Sequence, residues 1–209
     1  MIGILLTVAG TFLCAAAQVT AKVAAEYMPP LRMCAIRYAA ASPMCYIAMV
    51  GMKGDWTPGM SWQQVGLAAL ISIIAWGFGT LLFFTTMKRD SMHRVAPVSN
   101  SLSIWAVVLS VIFLDEPFFP VLGLVLVILG AGISMMTPDA KTEQRWRWAI
   151  PAGLGVSLMW AVSIVLTKVT IGDVNYSSFV FVKMVAAAVF HTAFLPVAKG
   201  PVRSGGVKF

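Results

Sequence analysis

Long apolar stretches alternate with short polar ones along the whole chain, and this alternation predicts membrane-spanning helices. Stretches of about 20 residues with almost no charge match the length that a helix needs to cross about 30 Å of hydrocarbon. Seven such spans are predicted, at 2–25, 30–52, 64–86, 93–114, 118–137, 148–170 and 175–197. Short turns rich in proline, glycine and charge separate them, so successive helices should be antiparallel neighbours. The predicted fold class is an all-α polytopic membrane protein, because a lone open sheet would leave backbone groups unsatisfied in lipid.

Composition supports the lipid bilayer as the surroundings of this chain. Of its 209 residues, 59% are hydrophobic and only 11% are charged, whereas soluble domains carry about 25% charged residues. The net charge of +7 does not indicate nucleic acid as a partner, because most basic residues lie in short loops where they orient helices. Cys14, Cys34 and Cys45 lie in apolar spans, and their odd number and spacing suit packing rather than a disulfide or a metal site. No cofactor is expected.

An internal repeat appears when the chain is shifted by 146 residues against itself. The shift aligns three pairs of basic residues: Lys22 with Lys168, Arg37 with Lys183, and Lys53 with Lys199. Spans 1 and 2 then correspond to spans 6 and 7, so one repeat unit holds five helices. An odd number of spans inverts the second copy, and inverted repeats around a midplane site are a common plan for secondary transporters.

The repeat predicts how the chain is organised. Residues 1–137 would form the first unit, 138–147 a loop, and 148–209 the start of the second unit. Two complete copies would total about 290 residues, so about 80 residues, equivalent to three helices, are expected to be missing. The alternative is a complete seven-helix protein in which the similarity between the two parts is coincidental.

Four segments resemble the EamA-like family of the drug/metabolite transporter superfamily. They are K-x-x-x-E-Y-x-P-P-L with A-I-R-Y-A-A-A at 22–41, LLFFTTMKRDSMHRVAPVSNSLSIWAVVLSVIFLDEPF at 81–118, GLVLVILGAGISMM at 123–136, and MWAVSIVLTKV at 159–169. The resemblance implies ten helices in an inverted five-plus-five arrangement. It also implies transport of a small metabolite or drug, such as an amino acid, a sugar or a nucleoside. The chain departs from the family pattern in three ways: Asp115-Glu116-Pro117 replaces a Gly-Glu turn, the loop at 88–94 is unusually basic, and three helices are missing.

Basic residues within the spans are the first candidates for a substrate site. Lys22 and Arg37 lie about seven residues before and after the Pro29-Pro30 turn, so both should sit roughly 10 Å along their helices at similar depth. Lys168 and Lys183 are likewise symmetric about the turn at Asn175-Tyr176. Inversion would place two basic pairs above and below a midplane cavity, where they could meet an anionic group of the substrate. Alternatively, the long side chains reach the headgroups, and Glu26 pairs with Lys22.

The remaining candidates are polar and aromatic residues inside spans. Asn100 and Ser103 lie one turn apart, near a helix opening at Pro97, and could hydrogen-bond a substrate or pack helices together. The aromatic candidates, Trp76 and Trp160, lie too deep to serve as interfacial anchors, which leaves cavity lining or core packing. His191 could titrate, or could simply be a hydrogen-bonded core residue.

These features predict an integral membrane transporter of the bacterial inner membrane that works by alternating access. An enzyme is not expected, because the sequence contains no Ser-His-Asp arrangement, no H-E-x-x-H and no phosphate-binding loop. The alternatives are a truncated, non-transporting membrane protein or an assembly partner that forms a homodimer through Gly123, Gly130 and Gly132 of the fifth span. A seven-helix receptor or retinal pump is a further alternative. Loop charges favour an external N-terminus, whereas the family resemblance implies an internal one.

Overall fold

A computed structural model describes residues 2–89, 92–114 and 146–197, and the regular structure in these ranges is helical. The α-helices are α1 (Ile2–Tyr27), α2 (Pro30–Lys53), α3 (Trp62–Ser72), α4 (Thr80–Arg89), α5 (Met92–Asn100), α6 (Leu102–Leu114), α7 (Trp146–Ile171) and α8 (Tyr176–Ala193). A π-helical segment, Ile73–Gly79, joins α3 to α4 without interruption. A short 3₁₀ helix, Leu195–Val197, follows α8.

The described residues form six helical spans that are long and apolar enough to cross a membrane. They are Val8–Tyr27, Pro30–Met52, Trp62–Arg89, Val95–Leu114, Trp148–Ile171 and Tyr176–Ala193. These correspond to spans 1 to 4, 6 and 7 of the sequence prediction, and the predicted all-α polytopic fold class is confirmed. The fifth predicted span, 118–137, lies outside the described residues. So does most of the predicted loop 138–147, whose last two residues already belong to α7.

Local sequence explains where the helices begin and end. Pro29 has an extended backbone and Pro30 occupies the first turn of α2. Backbone N–H groups in the first turn have no acceptor within the helix, so proline there costs no hydrogen bond. Gly54 ends α2 with a φ of 73°, a left-handed conformation that glycine adopts without a steric penalty. Ser61 and Gln64 form a reciprocal capping box at the start of α3. Asn175 begins α8 by accepting a hydrogen bond from the Ser177 N–H at 3.0 Å.

The fourth span is interrupted at Ser101, close to the opening that Pro97 predicted. The Ser101 N–H bonds to the Val98 carbonyl at 3.2 Å, three residues back instead of four. The Ser101 hydroxyl donates to the same carbonyl at 2.6 Å. The tightened turn separates α5 from α6 while keeping both helices in one span.

Helix packing differs from the expectation that successive helices are neighbours. α1 rests mainly on α4, and α8 packs along α2 and α3 rather than along α7. α7 is instead surrounded by α5, α6 and the π-helical segment. Inside a membrane no hydrophobic force favours sequential neighbours, so the fit of side chains at each interface decides which helices pack together. The most extensive helix pair, α2 with α8, joins the two helices that the 146-residue shift aligns.

Close packing between α5 and α7 depends on Gly153. A Cβ atom at Gly153 would lie 2.7 Å from Val98 Cγ1, whereas one at Gly155 would meet only Leu82 Cδ2, at an ordinary 3.9 Å. Valine is branched at Cβ and restricted in χ1, so it cannot turn aside easily. We expect Gly153→Ala to destabilise the protein by about 1 to 3 kcal/mol through overpacking.

Gly155→Ala is the matched control, on the same helix and with the same change of side chain. It should leave stability unchanged or raise it slightly, because alanine has the higher helix propensity. Both variants are heated in detergent, and size-exclusion chromatography measures how much of each remains folded. The midpoint temperatures give the difference in stability. Equal stability of the two variants would contradict the α5–α7 packing described above.

Candidate functional site

A cavity of about 500 Å³ lies between the π-helical segment, α6, α7 and α8. Its walls are formed by Ala75, Trp76, Leu102, Trp160, Ser163, Ile164, Thr167, Lys168, Ile171, Tyr176 and Lys183. The volume and the lining, mostly apolar with a few polar groups, are typical of a site for a small molecule. Four of the residues proposed from the sequence meet here: Trp76, Trp160, Lys168 and Lys183.

Lys183 is the buried charged group of this cavity, with only 6% of its surface exposed. Its Nζ donates hydrogen bonds to Ser163 Oγ at 3.2 Å and to Thr167 Oγ1 at 3.1 Å. The same Nζ lies 4.5 Å from the centroid of the Trp76 ring, within the range of a cation–π interaction. All three partners are neutral, so they solvate the ammonium group without cancelling its charge.

One face of α7 supplies half of the cavity wall. Its lining residues are Trp160, Ser163, Ile164, Thr167, Lys168 and Ile171, spaced by three and four residues. Residues at this spacing share one side of a helix. Ser163 and Thr167 are therefore stacked one turn apart, which lets both hydroxyls reach the same ammonium group on α8.

The π-helical segment positions the two tryptophans. The Ala75 carbonyl accepts a hydrogen bond from Trp160 Nε1 at 3.0 Å, in addition to the backbone N–H of Thr80 five residues along the chain. Gly79 leaves room for this approach, because a Cβ atom there would lie 3.2 Å from Trp160 Nε1. The π-helical segment thus binds Trp160 of α7 through the Ala75 carbonyl, and it places the Trp76 ring beside Lys183. Short π-helical segments occur frequently at functional sites.

The cavity extends from the surface into the membrane-spanning part of α7. Tyr176, at the start of α8, is 67% exposed, so the cavity reaches the surface near the α7–α8 turn. Trp160 lies 11 residues before Ile171, which is about 17 Å along the helix. The indole of Trp160 therefore lies well inside the span, close to the middle of the 26-residue α7.

His191 lies behind the cavity wall and not on it. The ring is fully buried, its Nδ1 lies 2.8 Å from the Ala187 carbonyl oxygen, and it stacks on Tyr38 at 5.2 Å between centroids. Tyr38 in turn stacks on Trp76 at 6.1 Å and shares a hydrogen bond of 2.9 Å with Thr80 Oγ1. His191 thus belongs to an aromatic layer that supports Trp76 from behind.

Lys22 and Arg37 do not line this cavity. Lys22 is half-buried and donates a hydrogen bond to the Met87 carbonyl at the end of α4. Arg37 is exposed, with its Cζ 5.6 Å from the ring centroid of Phe84. The repeat aligns Arg37 with Lys183, but their surroundings differ. Lys183 is enclosed by α7 and the π-helical segment, and the described residues contain no equivalent of that segment beside Arg37.

Asn100 and Ser103 are also exposed and absent from the cavity wall, although their neighbour Leu102 contributes to it. Sequence reasoning overlooked three polar lining residues: Ser163, Thr167 and Tyr176. The signal that could have revealed the first two is their spacing from Trp160 and Lys168, which puts all four on one helix face. Tyr176 is brought to the site only by the turn between α7 and α8.

Comparison with known proteins identifies the family. A model of the EamA-like transporter family matches residues 1–137, which is well over half of the chain. No curated protein and no solved structure matches. The resemblance inferred from the sequence motifs is thus confirmed by a match that includes α1 to α6. This chain belongs to the EamA-like transporter family.

Proposed function

We propose that this protein carries a small metabolite or drug across the bacterial inner membrane by alternating access, with the cavity between the π-helical segment, α7 and α8 as its substrate site. The observation that carries the proposal is a cavity of about 500 Å³ that holds a buried ammonium group inside membrane-spanning helices. Ionisable groups at such positions are expensive to bury and are usually functional.

The depth of the tryptophans supports a carrier mechanism. Trp160 lies near the middle of α7, is hydrogen-bonded to Ala75, and packs against Phe83 with ring centroids 5.3 Å apart. A carrier must open its site to each side in turn. We infer that the Trp76–Trp160 layer forms the closed side in this conformation, and that the π-helical segment moves when the site opens to the other side.

The rival proposal is a non-transporting membrane protein or an assembly partner. It is favoured by the exposure of α1, of which only 6% is buried along its most apolar window. Phe12 and Leu13 on this helix are more than 70% exposed. An assembly partner would cover such a helix with protein, although lipid also covers it adequately. The glycines proposed for a homodimer, Gly123, Gly130 and Gly132, lie outside the described residues.

A cysteine placed in the cavity distinguishes these proposals. The background replaces the native cysteines, which are Cys14, Cys34 and Cys45. In it, Ser163→Cys should react with a membrane-impermeant methanethiosulfonate reagent from both faces of the membrane. The reason is that an alternating site is exposed to each side in turn. Labelling is measured in right-side-out and inverted vesicles.

Ser178→Cys serves as the matched control, because Ser178 is also buried on a spanning helix but does not line the cavity. It should remain unlabelled from both faces. Labelling of Ser163→Cys from one face alone would overturn alternating access and favour the non-transporting protein.

Filling the cavity should block transport. Ile164 lines the cavity, so Ile164→Trp places an indole in the space that the substrate would occupy. Proteoliposomes filled with a ¹³C-labelled metabolite extract should release specific compounds with the natural sequence, detected by mass spectrometry. With Ile164→Trp, release should fall to the level of protein-free liposomes.

Ile112→Trp is the control for this experiment, because Ile112 is 64% exposed on α6 and lies outside the cavity wall. It introduces the same side chain at a lipid-facing position, so release should be unchanged. Full release by the Ile164→Trp variant would rule out this cavity as the transport pathway.

A further inference from the structure

Among the described residues that line the cavity, the two charged ones, Lys168 and Lys183, are both basic. Among the other described residues, Glu26 and Asp55 belong to other parts of the chain, and Asp173 is exposed to solvent in the turn between α7 and α8. The buried part of the wall, which holds Lys183, therefore favours an anion over a cation.

Among the described residues, the Lys183 ammonium has no carboxylate as a partner. It has three N–H donors, and the Ser163 and Thr167 hydroxyls accept from it, while the Trp76 ring lies beside it. Burying an ammonium group without an anion is unfavourable. A bound anion would complete this arrangement and gain a charge-assisted hydrogen bond in a site shielded from water.

The remaining walls are apolar or aromatic. Trp76 and Trp160 form the inner end, with Leu102, Ile164 and Ile171 along the sides and Tyr176 at the opening. Flat rings of this kind pack well against an apolar or aromatic body. A small, strongly hydrated anion such as inorganic phosphate would leave these walls without a partner.

From these observations we propose that the substrates of this site are organic monocarboxylates with an apolar or aromatic body, bound through the carboxylate to Lys183. The assignment rests on the proposed function, since it takes the cavity to be the transport site. The carboxylate accepts a hydrogen bond from Lys183 Nζ, and the body lies against the rings of Trp76 and Trp160.

Three compounds with the same body and different charge test the proposal: 3-phenylpropanoate, 3-phenylpropan-1-ol and 3-phenylpropan-1-amine. Binding to the purified full chain in detergent is measured by isothermal titration calorimetry. The carboxylate should bind at least about tenfold more tightly than the alcohol, because only it forms a charged hydrogen bond with Lys183. The amine should bind most weakly of the three.

Variants at Lys183 test whether this residue causes the preference for the carboxylate over the alcohol. Lys183→Met should bring the affinities for the carboxylate and the alcohol within about twofold of each other, whereas Lys183→Arg keeps the charge and the preference. Lys88→Met removes a lysine that is exposed at the end of α4, outside the cavity wall, and should keep the natural preference. If Lys183→Met does not fold, the order of affinities for the three ligands, measured on the natural protein and on Lys183→Arg, still tests the preference for the carboxylate.

Three results would overturn the assignment: equal or tighter binding of the alcohol or the amine, a carboxylate preference that survives Lys183→Met, or no binding of any of the three. Tight binding of inorganic phosphate in competition with 3-phenylpropanoate would also overturn it. Each result leaves the two-sided labelling of Ser163→Cys untouched. Conversely, one-sided labelling would remove the carrier mechanism while leaving carboxylate binding at Lys183 intact, so the two proposals fail separately.

Discussion

The arrangement of the site depends on how one ammonium group is held inside the membrane-spanning helices. Lys183 of α8 reaches the Ser163 and Thr167 hydroxyls of α7 and the Trp76 ring of the π-helical segment. Its own backbone carbonyl accepts a hydrogen bond of 2.6 Å from Ser72 Oγ on α3. One residue therefore ties three spans together. A buried charge tolerates only a precise set of neighbours, because each lost hydrogen bond would leave it poorly solvated.

The π-helical segment forms part of the cavity wall around this lysine. Its glycines allow aromatic rings to approach the backbone: a Cβ atom at Gly77 would lie 3.1 Å from Phe190, and one at Gly79 would lie 3.2 Å from Trp160. Phe190 and His191 then support Tyr38 and Trp76 from behind. These aromatic residues lie at the inner part of the cavity, while Tyr176 is exposed near the α7–α8 turn.

Sequence reasoning located the site only in part. Trp76, Trp160, Lys168 and Lys183 were found because bulky aromatic and basic residues are conspicuous in apolar spans, and all four meet at the cavity. Arg37 satisfied the same criterion and is exposed over Phe84. A repeat in the sequence aligns residues but does not supply matching neighbours, so equivalent positions acquired different surroundings. Ser163 and Thr167 escaped notice because small hydroxyl residues are common in membrane helices and gain meaning only beside a charge.

The sequence by itself determined the membrane class, the positions of the six described spans and most of their helix ends. These properties depend on hydropathy over about 20 residues and on local backbone chemistry, such as proline at 29–30 and glycine at 54. Only the tertiary structure decided which helices pack together, which lysine is buried and where the cavity opens. Lipid surrounds every apolar helix equally well, so hydropathy does not distinguish one neighbour from another. That choice is made by the fit of particular side chains, such as Val98 against Gly153 and Trp160 against Gly79.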